Sequence, residues 1–238
     1  KYPGKTNEQF TALLLNLTLA AAGVVPPPPE APVPARRPCV LDPLAGRGTT
    51  LLVAWRAGCD AAGVEADGAA FEAMAAYVTT YLRRTRRHHR AETTPVRRDR
   101  RKLGRRFDAT WLDASLTLTV FTGDTRDSAM LYGKRRFDAV VTDAPYGVVH
   151  GAREASGPRD RSPAQLLREA LPVWAGQLRP GGALGLSWNT YSLARSDLLG
   201  LVRASGLEPC TGGPWDRLAH RVDASIERDL VVAVRPAT

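Results

Sequence analysis

Cysteine is scarce: Cys39, Cys59 and Cys210 are the only three among 238 residues. Three scattered cysteines make no disulfide framework, and no CxxC or Cys/His pair has the spacing of metal ligands. No apolar run approaches the roughly 20 residues of a membrane span. The N-terminal stretch carries Asn7 and Glu8 ahead of its apolar part and lacks a signal-peptide cleavage pattern. These absences lead us to expect a soluble, cytoplasmic chain without a metal. Missing too are the G-x-G-x-x-G of a dinucleotide fold and the G-K-[ST] of a phosphate-cradling loop. No internal repeat is evident.

What is present suffices for a packed core, since 44% of the residues are apolar. The length fits one large α/β domain, or one domain with an appendage. The formal net charge is +9, and it is concentrated. Residues 83–106 hold twelve Lys or Arg against Glu92 and Asp99, a local charge of +10 that leaves the remainder near neutral. Such an arm is either a solvated arginine-rich loop or a docking surface for an anionic partner. The candidate contacts are Arg83, Arg84, Arg86, Arg87, Arg97, Arg98, Arg100, Arg101, Lys102, Arg105 and Arg106. His88 and His89 lack companion ligands and belong to the arm.

The apolar pattern alternates strands and helices. Residues 6–22 read as a helix, with Thr6 as a possible cap and Phe10, Leu13, Leu14 and Leu17 on one face. A proline-rich connector follows, from Pro26 to Pro38. We expect residues 1–37 to pack on a single larger domain, 38–238, that carries the basic insertion. Strands are expected at 39–42, 61–65, 116–121, 137–142 and 183–188, with 107–112 as a hairpin arm to the third. Helices are expected at 49–57, 71–82, 163–178 and 193–205. Arg179 to Gly182 reads as a turn, and 224–226 with 230–234 as a terminal hairpin. The alternation predicts an α/β, Rossmann-like fold with a seven-stranded, mainly parallel sheet.

Two segments stand at expected strand ends, where doubly wound sheets bind ligands. The first is Asp42-Pro43-Leu44-Ala45-Gly46-Arg47-Gly48-Thr49. Gly46 and Gly48, with the small Ala45, let backbone approach a nucleoside closely. Thr49 opens a helix whose first N–H groups can receive a carboxylate. Asp42 is placed to accept from an ammonium, directly or through water. Glu65 ends the second strand, placed for two ribose hydroxyls. Asp124 ends the third, either near an adenine amino group or as a turn cap.

The second segment is Asp143-Ala144-Pro145-Tyr146. An exocyclic amine on a flat ring is a poor nucleophile, because its lone pair is delocalised. Hydrogen bonds to Asp143 and to the Ala144 carbonyl favour its pyramidal form, Pro145 fixes φ, and Tyr146 can stack on the ring. In-line positioning then carries most of the rate. The two segments together point to methyl transfer from S-adenosyl-L-methionine to nitrogen. No Pro-Cys follows the fourth strand, which argues against carbon methylation through a thiolate.

D-P-L-A-G-R-G-T with D-A-P-Y-G resembles the S-adenosylmethionine-dependent amino methyltransferases of nucleic acids that carry a D/N-P-P-Y motif. The chain is most similar to the catalytic domain of THUMP-associated tRNA guanosine N2-methyltransferases, over roughly residues 5–235. Asn7 to Leu17 resembles the short helix that opens those domains, and Gly147-Val148-Val149 the apolar pair after their tetrad. The resemblance implies class I architecture and RNA, by likeness tRNA guanine N2, as substrate. Ala144 stands where the family has its first proline. We expect the chain to act without a THUMP-like segment, so that either the arginine arm replaces that module or the substrate differs. DNA adenine, a small molecule or a peptide stay open as alternatives, as does an inactive RNA-binding module. His150 is a phosphate contact, a base or a plain loop residue. Trp188-Asn189 lines a pocket or belongs to the core, and Trp55 and Trp111 are expected to pack.

Overall fold

Short strands that are apolar on both sides belong in the middle of a parallel sheet, and three here have that character. They are β1 (Cys39–Asp42), β2 (Asp60–Glu65) and β6 (Phe137–Asp143). The computed structural model describes residues 7–98, 101–145 and 163–237. Between and around these strands run α1 (Glu8–Ala21), α2 (Thr49–Arg56), α3 (Gly68–Arg84), β3 (His89–Arg98), β4 (Arg101–Trp111) and β5 (Leu116–Thr122). A short α4 (Ser128–Tyr132) precedes β6. Then come α5 (Pro163–Gln177), β7 (Leu178–Asn189), α6 (Arg195–Ala204), β8 (Glu208–Pro209), β9 (His220–Arg221) and β10 (Glu227–Val234).

The strand order is β3-β4-β5-β2-β1-β6-β7-β10-β8, with β9 beside β10. The run from β5 to β10 holds six of the seven expected strands, parallel apart from antiparallel β10, and the short β8 beyond it was not expected. Helices cover both faces. On one, Leu14, Leu15 and Leu19 of α1 pack with Val40, Ala139 and Val141, while Phe71 and Met74 of α3 pack with Leu118 and Val120. On the other, Leu167, Leu171 and Trp174 of α5 and Leu198 of α6 pack on Leu41, Val140 and Leu184.

Several expectations about local structure are corrected. Asn7 caps α1, accepting from the Gln9 N–H at 2.8 Å, and Thr6 lies outside the described residues. The buried stripe of α1 is Thr11, Leu14, Leu15, Thr18 and Leu19, whereas Leu13 is 45% exposed. The helix turns Thr18 inward because Gly185 of β7 leaves room for it. A Cβ on Gly185 would stand 1.8 Å from the Thr18 hydroxyl oxygen. Arg179 to Gly182 lies within β7, where the register to β6 shifts between Phe137 and Ala139. The first arm of the terminal hairpin is His220–Arg221, because Asp223 folds 224–226 into a turn by accepting from Ser225 at 2.7 Å.

The arginine-rich segment is itself a sheet element. β3 and β4 pair antiparallel from His89↔Trp111 to Arg98↔Arg101, and β4 pairs with β5 from Arg106↔Phe121 to Trp111↔Leu116. The hairpin therefore extends the sheet beyond the expected seven strands, with β3 as its outer edge. Trp111 packs edge-on against Trp55 at 6.3 Å between ring centroids, and both are buried.

The proline-rich connector crosses the amino ends of the strands. There Arg36 grips Asp138 with two hydrogen bonds of 2.7 and 2.8 Å, and the Cys39 N–H donates to the same carboxylate at 2.8 Å. Burial pushes the Asp138 carboxyl up, but these partners and Arg179 outweigh it and hold it below the ordinary carboxylate range.

Candidate active site

Parallel pairing brings the strand-end acids to one edge. Asp42 stands in register with Gly63, Glu65 with Thr122, and Asp143 with Ser187. A cleft of about 320 Å³ opens there, within the usual range for a ligand pocket. Its lining includes Pro43, Glu65, Asp124, Asp143, Pro145 and Leu166. A larger groove of about 450 Å³ between α2 and α3 contains Arg47, Thr49 and Tyr77 but no strand-end carboxylate. The chemistry singles out the smaller one.

The glycine loop is fastened from below. Ala45 donates its N–H to Val64 at 2.9 Å, and Gly46 donates to the Glu65 carboxylate at 2.6 Å. The other Glu65 oxygen accepts from Asp67 N–H at 2.6 Å. Gly48 caps α2 at φ 80°, and a Cβ there would meet Met74 at 2.6 Å, so both the turn and the packing call for glycine. Thr49 begins α2 but faces the larger groove.

Asp42 lies beneath the loop, 2% exposed. Its carboxylate accepts from the Thr142 hydroxyl at 2.8 Å and the Leu44 N–H at 3.1 Å. Burial pushes its pKa up to about 6, against the pull of Thr142, Leu44 and Thr50. Asp124 caps the 3-10 turn Thr125–Asp127, accepting from Arg126 N–H at 2.9 Å, and is also gripped by the Arg126 guanidinium. Arg126 in turn reaches Glu169 at 2.7 Å. Beneath this edge the Tyr132 hydroxyl accepts from Gly63 N–H and lies 2.8 Å from the carbonyls of Gly63 and Thr119, bridging β2 and β5.

Asp143 accepts a short hydrogen bond from the Ser187 hydroxyl on Oδ1. Ala144 is buried and donates its N–H to the Ser187 carbonyl at 2.8 Å. One buried serine therefore holds both the carboxylate and the backbone of the segment. Tyr146 and His150 lie outside the described residues. Ser187 was invisible to sequence reasoning, because only the β6–β7 register brings it to Asp143. Trp188 and Asn189 belong to the interior. The Trp188 indole donates to the Leu193 carbonyl at 2.9 Å, and the Asn189 amide donates to the Ser225 carbonyl at 3.0 Å.

The basic residues do not form one patch. Arg105 pairs with Glu72 at 2.6 Å, Arg106 with Asp108 at 2.7 Å, and Arg87 lies over Trp111 at 4.2 Å. Arg83, Arg84, Arg86 and Arg97 have no side-chain hydrogen bond or ion pair among the described residues. Arg100, with the side chains of Arg98, Arg101 and Lys102, lies outside them. Among the described residues no cluster of His, Cys, Asp and Glu suits a metal, and no helix is long and apolar enough to cross a membrane.

No protein-family model and no curated protein matches the chain. Solved structures do. TrmN from Thermus thermophilus matches with a TM-score of 0.57 and 14% identity, over 98% of this chain and 50% of that one. The 16S rRNA N2 G1207 methyltransferase RsmC of T. thermophilus, solved with AdoMet and guanosine, gives 0.50 and 21%, over 98% and 44%. An S-adenosylmethionine-dependent methyltransferase from Clostridium acetobutylicum gives 0.55 and 9%, over 98% and 93%. The chain spans about half the length of the first two. These likenesses establish the fold, a Rossmann-like α/β architecture that those methyltransferases share.

Proposed function

We propose that the chain is an S-adenosylmethionine-dependent N-methyltransferase acting on an exocyclic amine of an RNA base, with guanine N2 of tRNA as the leading target. The observation that carries this reading is the placement of Asp143 and Pro145 against the same cleft that Glu65 and Asp124 border. The motif resemblance supports it. So does RsmC, which has this fold and whose guanosine complex concerns an N2 position.

The residues fit the cofactor. Glu65 suits ribose hydroxyls, and the Asp124 end of β5 suits the adenine. The first N–H groups of α2 favour a carboxylate, as unpaired helix N-termini do. Asp42 sets a negative charge under the loop, opposite an ammonium. When bound, the cofactor supplies an electrophilic methyl group.

This chain's part is orientation. Ser187 holds the Asp143 carboxylate through Oδ1, and that carboxylate accepts an N–H of the target amine. The Ala144 carbonyl accepts the other, which aims the nitrogen lone pair. Pro145 holds the turn, and Tyr146 stacks on the base. The proton released from the nitrogen passes to Asp143 or to solvent.

Transfer of labelled methyl to total tRNA, rRNA and DNA, followed by nucleoside analysis, tests the reading. Label in N2-methylguanosine is expected, with Asp143→Ala lowering the rate by about 100-fold or more. Cofactor binding by calorimetry without transfer to any nucleic acid would sink it.

A further inference from the structure

The strand register divides the arginine-rich segment into two clusters at opposite edges of the sheet. β5 ends at Thr122, facing the start of the β4 pairing, where the Arg105 N–H donates to the Thr122 hydroxyl at 2.8 Å. The pairs Arg97↔Lys102 and Arg98↔Arg101 thus extend past the carboxyl ends, on the side of the cleft. The other end of the hairpin, His89↔Trp111, lies at the amino edge with the last turn of α3. Arg83, Arg84, Arg86 and Arg90 stand at that edge, with Arg90 on the sheet face away from α3, because its neighbour Ala91 packs on the α3 side. From Arg90 to Arg97 the strand rises about 24 Å, at ~3.4 Å per residue.

The four amino-edge arginines are exposed and have no side-chain hydrogen bond or ion pair among the described residues. Two acids paired with neighbouring residues are already engaged. Asp113 faces His88 at 3.3 Å, and Glu30 stands 3.9 Å from Arg87. Between the clusters β3 exposes Glu92, Thr93, Thr94 and Pro95, with Glu92 its single acid. Arg86 also sits at φ 53°, in the left-handed position after α3 where glycine is relaxed.

We propose that Arg83, Arg84, Arg86 and Arg90 form a second RNA-backbone contact, remote from the cleft, engaged only by a strand long enough to run along β3. The clusters stand about 24 Å apart along β3, several nucleotides of an extended strand, so a mononucleotide at the cleft cannot reach the second. Threonine hydroxyls along β3 suit the intervening phosphates. This inference rests on RNA being the substrate.

Anisotropy of the full chain with labelled single-stranded RNAs of four and sixteen nucleotides, without cofactor, tests it. Arg83→Gln/Arg84→Gln/Arg86→Gln/Arg90→Gln is expected to weaken the sixteen-mer about 10- to 100-fold and to reduce the salt slope by about 3, at ~0.7 per lost contact. The four-mer should bind unchanged. Arg86→Gly alone should weaken the sixteen-mer two- to fourfold without lowering Tm, which separates contact from folding. Equal losses at both lengths, no loss, tighter binding of a DNA sixteen-mer, or equal binding of polyglutamate overturns the proposal. Length-dependent binding without methylation of any RNA would instead sink the catalytic reading and leave this surface standing. Methylation with length-independent binding would do the reverse.

Discussion

A carboxylate with almost no exposure has to earn its charge, and Asp42 does so only in part. Its pKa of about 6 lies above the ordinary value because burial disfavours the ion more than Thr142, Leu44 and Thr50 favour it. Between pH 4 and 6 the folded chain therefore binds more protons than the unfolded one, so Asp42 lowers stability as pH rises. At 1.36 kcal/mol per pKa unit the loss is about 3 kcal/mol. Denaturant unfolding at pH 4.5 and 7.5 should show this slope in the wild type and its loss in Asp42→Asn. A cation above the loop favours the ionised form. Cofactor affinity is accordingly expected to rise as pH increases toward 6 and then to level, and a flat profile would rule that out. Ser187→Ala leaves Asp143 unsupported on one side. We expect kcat to fall about tenfold, cofactor affinity to hold, and stability to drop by about 1 kcal/mol.

The elements most legible from sequence were those with unbroken apolar character. β1, β2 and β6 are buried on both faces, so their residues announce them. The expected arm 107–112 is the carboxyl half of β4 and pairs with β5, but β3 was missed because HRAETTPVRR has no apolar alternation and contains a proline. It is a strand because β4, itself paired to β5, lends it a template and α3 covers one side. The burial of α1 was half legible, since its leucines mark a helix but Gly185 selects which stripe faces in. Gly185→Ala is expected to cost roughly 2 kcal/mol by overpacking. Thr18→Ala in the same chain should recover part of that loss, and strictly additive unfolding energies would contradict the contact. At the amino edge, Asp138→Ala frees Arg36 and the Cys39 N–H together. A loss of about 1–2 kcal/mol is expected, set mainly by the buried Cys39 N–H left without its acceptor, since the Arg36 side chain is half exposed. The Asp138 contribution is present above the unfolded pKa near 4 and fades as pH falls through the lower folded value.

At the scale of the whole molecule, the charge that composition gave as one number is divided between the two ends of the β3–β4 hairpin. Sequence spacing could place acids at strand ends, and the sheet does bring Glu65, Asp124 and Asp143 to one cleft. It could not tell that Asp42 sits below the loop, or that Arg126 would grip Asp124, because both depend on packing between distant segments. β3 carries a further consequence through its position as the last strand on its side. A free edge offers its backbone to any passing strand, and this one is guarded by Pro95 and by arginines at both ends. Those arginines repel a second copy of the hairpin only while their field reaches it, roughly 10 Å at 0.1 M salt and ~3 Å at 1 M. Light scattering should therefore show monodisperse protein in dilute buffer and growing self-association as salt is raised. A chain that stays monomeric at high salt would show that Pro95 alone is a sufficient guard.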